Sequence, residues 1–132
     1  MSKFKDIKAP NLKLISTSNE MVELNKLKSK FIILYFYPKD NTSGCTIETN
    51  DFNKLLAKFK KYDCKVFGIS KDSLDSHIKW SKKLKLKFEL LSDENKASLK
   101  AYKVWAKKKF MGKEFLGTVR STFIIKNKKI IK

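Results

Sequence analysis

Cysteine, histidine and arginine are scarce in this 132-residue chain: Cys45 and Cys64, His77 and Arg120 are the whole complement. Two cysteines and one histidine cannot furnish a zinc site of four Cys/His ligands or a disulfide framework, so no structural metal is expected. The longest apolar run, Phe31–Tyr37, has seven residues, whereas a bilayer span needs about 20. The N-terminal Met1-Ser-Lys-Phe-Lys-Asp6 lacks the apolar core of a signal peptide. The expectation is a soluble, cytoplasmic protein with no membrane partner. No repeat, low-complexity tract or Pro/Gly-rich linker interrupts the chain. At about 100–200 residues per domain, residues 1–132 are expected to form a single domain.

Acidic residues are also few, 13 against 31 basic ones, for a net charge of +18. Nucleic-acid binding is the first class such a charge suggests. Yet 30 of the 31 basic residues are lysines spread from Lys3 to Lys132, and groove readers rely on the bidentate guanidinium. Dispersed lysine describes a solvated surface with non-specific, salt-sensitive attraction to polyanions, and no specific nucleic-acid partner is expected. The hydrophobic content of 42%, with ten Phe, four Tyr and two Trp, excludes whole-chain disorder.

Strand and helix periodicities alternate along the chain. Leu12–Ile15 and Met21–Leu24 read as short strands around a polar turn, and Phe31–Tyr37 as a central parallel strand buried on both faces. Pro38 and the turn formers that follow end it. Phe52, Leu55, Leu56 and Phe59 then share one face of a helix predicted over Ser43–Tyr62. Cys64–Ser70 is a second strand. Ser73 caps a predicted helix to Leu84 that buries Leu74, Ile78 and Trp80, with His77 placed at its surface or half-buried. A strand at Phe88–Leu91, a helix at Glu94–Tyr102 and a hairpin of Arg120–Ile125 with Lys129–Ile131 complete an α/β pattern.

Cys45 falls beyond the C-terminal end of the central strand and in the first turn of the next helix, where open α/β sheets concentrate chemistry. Backbone N–H groups and the helix dipole favour a thiolate there. Gly44 allows close backbone approach to a substrate, and the Thr42 hydroxyl can turn toward the same pocket.

Phe36-Tyr-Pro-Lys-Asp-Asn-Thr-Ser-Gly-Cys-Thr-Ile-Glu48 resembles the peroxiredoxin active-site segment, with its Pro-x-x-x-Thr-x-x-Cys pattern intact. Phe67–Ser70, Leu90–Asp93 and Lys109–Ile124 extend the resemblance, which is nearest to the bacterioferritin-comigratory (PrxQ) branch. It implies a thioredoxin-like peroxiredoxin fold, a central mixed sheet flanked by helices, and a peroxidase without cofactor that reduces hydrogen peroxide and organic hydroperoxides. Carried over, Cys45 is the peroxidatic nucleophile, Thr42 and Arg120 polarise the peroxide, and Pro38 shields the pocket. Glu48, one turn after Cys45, can orient Arg120 or complement the helix dipole.

Three departures qualify the resemblance. Asn50 stands where the common two-cysteine form has its resolving cysteine. A helix over Ser43–Tyr62, rising at about 1.5 Å per residue, would hold Cys64 some 25 Å or more from Cys45, beyond the roughly 7 Å between Cα atoms that a disulfide tolerates. The expected cycle therefore uses one cysteine and an external thiol: thioredoxin, glutaredoxin or glutathione. Ser43 replaces the branch's usual proline and could cap the helix. The sequence ends at Lys132 where relatives continue, so a C-terminally shortened fold is expected, monomeric or homodimeric, with a tendency to self-associate. The alternative is a thioredoxin-fold binding or chaperone-like protein with little or no turnover.

Overall fold

A six-residue strand with no polar side chain except tyrosine organises the molecule. In the computed structural model, which describes residues 7–40 and 42–131 with the side chains of 43, 44 and 110 excepted, this strand is Phe31–Phe36 (β4). Before it come β1 (Ile7–Lys8), β2 (Lys13–Ser16) and β3 (Met21–Glu23). After it come α1 (Ser43–Lys61), β5 (Cys64–Ser70), α2 (Leu74–Leu84), β6 (Glu89–Ser92), α3 (Ala97–Ala101), β7 (Trp105–Phe110), β8 (Lys113–Thr118), β9 (Ser121–Lys126) and β10 (Lys129–Ile130).

Among the described residues these strands form an eight-stranded mixed sheet, ordered β1-β10-β9-β4-β5-β6-β2-β3, and a separate β7-β8 ribbon. The β4-β5-β6 centre is parallel, because helices α1 and α2 supply the crossovers, and β9 runs antiparallel to β4. Alternation along β4 distributes its side chains to two cores. Ile32, Leu34 and Phe36 join Phe67, Ile69, Leu91, Leu99, Tyr102, Phe123 and Ile125 on one face. Ile33, Tyr35 and Tyr37 join Cys45, Leu56, Val66, Trp80, Phe88 and Leu90 on the other, beneath α1 and α2. A run buried on both faces is what the central parallel position demands.

Gly68 on β5 permits this packing. A Cβ there would lie 2.6 Å from the Tyr35 ring and 2.8 Å from Leu90. The Tyr35 hydroxyl in turn reaches Thr49 Oγ1 at 3.0 Å, tying α1 to the central strand.

Several sequence expectations shift. The cap of α1 is Thr42 rather than Ser43, with extended backbone (φ −90, ψ 154). Ser73 does cap α2, its hydroxyl accepting from the Ser76 amide, but the residues this helix buries fully are His77 and Trp80, while Leu74 and Ile78 are half-buried. His77 is thus neither on the surface nor half-buried: both ring nitrogens have oxygen partners inside the protein, which is the condition for burying so polar a ring. Leu55 is 42% exposed, because the inward stripe of α1 runs through Phe52, Leu56 and Phe59. The third helix is shorter than the predicted Glu94–Tyr102. The β7-β8 ribbon goes unpredicted, since Lys107-Lys-Lys109 hides the alternation. The β9-β10 hairpin matches the expectation, with Asn127 and Lys128 both at positive φ (52 and 64) as a tight two-residue turn requires.

Candidate active site

The register of β9 against β4 determines which residue meets Cys45. Phe36 pairs with Ser121, so Arg120, one residue earlier in an antiparallel strand, lands just beyond the C-terminal end of β4. The first turn of α1 delivers Cys45 to the same place. Arg120 Nη2 donates to Cys45 Sγ at 3.1 Å, and Nη1 donates to Glu48 Oε1 at 3.3 Å. One guanidinium therefore joins the two residues that the sequence pattern placed three apart on the helix. Cys45 is fully buried, whereas the Arg120 side chain is 39% exposed and Glu48 24%.

Arginine carries only donors, so the sulfur is the acceptor in this pair. Burial by itself would lower the Arg120 pKa, but the bond and charge of Cys45, followed by those of Glu48, raise it on balance. Burial pushes the Glu48 carboxyl above its ordinary value, the Arg120 charge and hydrogen bond opposing without cancelling it. Because the folded protein holds this proton more tightly than the unfolded chain, the contribution to stability is complete below the unfolded pKa. It is lost as pH rises through the raised folded value. Relative to Glu48→Gln, the native protein should therefore lose stability as pH rises from the ordinary glutamate value of about 4.3 through the raised folded one. Urea midpoints across that range check this; parallel curves for the two proteins would contradict it.

The other sequence candidates sit close by in the chain but are differently engaged. The Thr42 hydroxyl donates to the Lys39 carbonyl at 3.1 Å rather than toward the sulfur. Pro38 is half-buried directly after Tyr37. Gly44 belongs to the first turn of α1. A cavity of about 440 Å³ lined by Ile47, Glu48, Asp51, Phe52, Leu55 and Arg120 opens beside the guanidinium. Cys64 begins β5 at the opposite end of the sheet, beyond the 19 residues of α1. Burial, and then Asp63, pushes its thiol pKa up. Both cysteines are free.

Sequence reading missed a buried polar network behind the loop that leads to Cys45. Asp40 accepts from the Tyr37 hydroxyl at 2.6 Å and the Ser76 hydroxyl at 2.8 Å, and pairs with His77 Nδ1 at 2.8 Å. Its own amide donates to Asp72 at 2.8 Å. Asp40, Asp72 and His77 hold potential metal-ligand atoms within 4.8 Å of one another, but each residue is engaged with protein donors or acceptors. One signal was available: His77 and Trp80 are three residues apart and so share a helix face.

With that geometry in view, likeness to known proteins is decisive. The AhpC/TSA family model matches residues 6–132. The chain belongs to the AhpC/TSA family. Among its relatives in this family, the Bcp peroxiredoxin of Bacillus subtilis is 45% identical over 118 residues, covering 89% of this chain and 75% of that protein. A Helicobacter pylori protein described as a putative peroxiredoxin bcp is 42% identical over 123 residues, covering 93% and 81%. Solved structures agree. A cysteine-to-serine variant of Xylella fastidiosa PrxQ superposes with a TM-score of 0.88 at 32% identity, covering all of this chain and 82% of that one. The Xanthomonas campestris bacterioferritin comigratory protein, solved in work on its alkyl peroxide reduction activity, gives 0.86 at 37% identity, covering 92% and 78%. The thioredoxin-like peroxiredoxin fold and the place of this family member in the Bcp branch both follow.

Proposed function

We propose that this protein is a thiol-dependent peroxidase that reduces hydrogen peroxide and organic hydroperoxides through Cys45, with an external thiol completing the cycle. The observation that carries this reading is the 3.1 Å approach of Arg120 Nη2 to Cys45 Sγ at a helix N-terminus. In the first step the thiolate sulfur attacks the terminal oxygen of R–O–O–H. The S–O bond forms, the O–O bond breaks, and RO⁻ leaves and takes a proton from water. The sulfur is oxidised by two electrons to the sulfenic acid and the peroxide is reduced to alcohol or water. Arg120 offers its fixed charge to the oxygen that becomes negative. Thr42 joins it by turning its hydroxyl from Lys39, Pro38 limits access to the sulfur, and Glu48 holds the guanidinium. The apolar side chains of Ile47, Phe52 and Leu55 beside Arg120 suit the alkyl part of an organic hydroperoxide.

An external thiol then attacks the sulfenic sulfur and releases water, and a second thiol frees Cys45 as the external disulfide forms. Asn50 offers no sulfur, and α1, at about 1.5 Å per residue, separates Cys45 and Cys64 by far more than the roughly 7 Å a disulfide allows. Thioredoxin, glutaredoxin and glutathione are the candidate reductants, in a cytoplasmic setting rich in thiols. The reading treats residues 1–132 as one catalytic unit. A non-catalytic binding role gains nothing from a guanidinium aimed at the sulfur.

Non-reducing mass spectrometry after one equivalent of peroxide tests both halves. The expected product carries one added oxygen on Cys45, and supplying each reductant separately identifies which restores the thiol. An unoxidised Cys45 would overturn the peroxidase reading; a Cys45–Cys64 bond would overturn the one-cysteine cycle.

A further inference from the structure

The buried network behind the Cys45 loop engages both ring nitrogens of a fully buried histidine. His77 Nε2 lies 3.0 Å from the Leu91 carbonyl oxygen, and Nδ1 lies 2.8 Å from Asp40 Oδ2. A carbonyl oxygen has no proton to give, so Nε2 carries one and donates it to Leu91. Nδ1 also lies 3.4 Å from the Tyr37 hydroxyl oxygen.

We infer that His77 is a positioning residue for Cys45: by bridging Asp40 and the Leu91 carbonyl it fixes the loop that delivers Thr42 and Cys45. The inference rests on the peroxidase reading for its kinetic consequence.

Every element packed on the pair contributes to this grip. From β4 and its loop, Tyr37 donates to Asp40 Oδ1; burial, and then the Asp40 charge, raises its pKa well above the ordinary value, so it remains a donor. From α2, Ser76 donates to Oδ2. From the turn after β5, Asp72 is engaged elsewhere, accepting from the Asp40 amide at 2.8 Å and the Ser70 hydroxyl at 2.7 Å. From β6 comes the Leu91 carbonyl. Lys39, Asp75, Lys79 and Lys83 line the neighbouring cavity of about 620 Å³ together with Asp40 and Thr42.

Asp40 is therefore gripped at its backbone amide and at both carboxylate oxygens, two residues before the cap of α1 and five before Cys45. A buried polar pair of this kind is a poor source of net stability. What it supplies here is a fixed direction: α2 and β6 hold the loop at one distance from the sheet, and the loop sets where the sulfur meets Arg120.

Two substitutions separate positioning from mere support. His77→Asn places an amide nitrogen near the Nδ1 position and keeps the grip on Asp40; His77→Gln places one near Nε2 and keeps only the Leu91 contact. Both variants should melt earlier than the native protein. The second-order rate of Cys45 with hydrogen peroxide should fall about ten-fold or more in His77→Gln, as misplacement of a reacting group does, and His77→Asn should recover most of that loss. Alkylation of Cys45 by iodoacetamide should follow the same order, a readout that persists if the native protein fails to reduce peroxide and the peroxidase reading falls. Equal Cys45 reactivity in the two variants would overturn the inference.

Discussion

Peroxide consumption should vanish in Cys45→Ser while Cys64→Ser keeps it. The serine hydroxyl has neither the acidity nor the two-electron redox chemistry of a thiol, and one guanidinium at 3.1 Å does not make an alkoxide at neutral pH. No intermediate analogous to the sulfenic acid can form on oxygen. The variant should nevertheless fold. Cys45 is fully buried among Tyr35, Tyr37 and Trp80, and a hydroxyl in such a place costs about 1–3 kcal/mol if unpaired, but Arg120 Nη2 stands ready to donate to it. Cys64 makes a contrasting control, because its raised pKa leaves less thiolate. Substrate-dependent peroxide loss in a stopped-flow assay, with a thermal melt to confirm folding, checks both. Persistent turnover in Cys45→Ser would remove the sulfur from the mechanism.

The architecture was legible wherever side-chain period and burial coincide. Phe31–Phe36, buried on both faces, could only be central, and Asn127-Lys128 could only be a tight hairpin turn. Where lysine supplies the strand, as at Lys107-Lys-Lys109 in β7, period carries no burial signal and the ribbon was invisible. The site divides along the same line. Cys45, Glu48 and Arg120 meet as the motif suggested, because the register of β9 on β4 is itself set by apolar alternation. Thr42 sits where expected yet spends its proton on Lys39. The Asp40–His77 pair escaped notice because its partners come from four separate elements, and only tertiary packing reveals that a polar ring on α2 has two oxygens waiting for it.

Arg120 is where the chemistry should be most sensitive after the sulfur itself. The guanidinium spans Cys45 and Glu48 through two different nitrogens, at 3.1 and 3.3 Å, a fork that an ammonium cannot reproduce. A lysine could neutralise one neighbour but would leave the other without a donor. Removing one donor from a site that stabilises developing oxyanion charge costs about 10²–10³ in rate, so Arg120→Met should slow the single-turnover oxidation of Cys45 by that factor. Arg120→Lys should recover only part of it. Stability should hardly move, since a side chain 39% exposed contributes about 1 kcal/mol or less through its ion pair. Saturating reductant should not rescue either variant, because the slowed step precedes thiol attack. Oxidation within about three-fold of native in Arg120→Met, far short of the loss an oxyanion donor predicts, would mean that the helix N-terminus alone activates the sulfur. In a chain whose other 30 basic residues are all lysine, this is the one place where charge without geometry should not suffice.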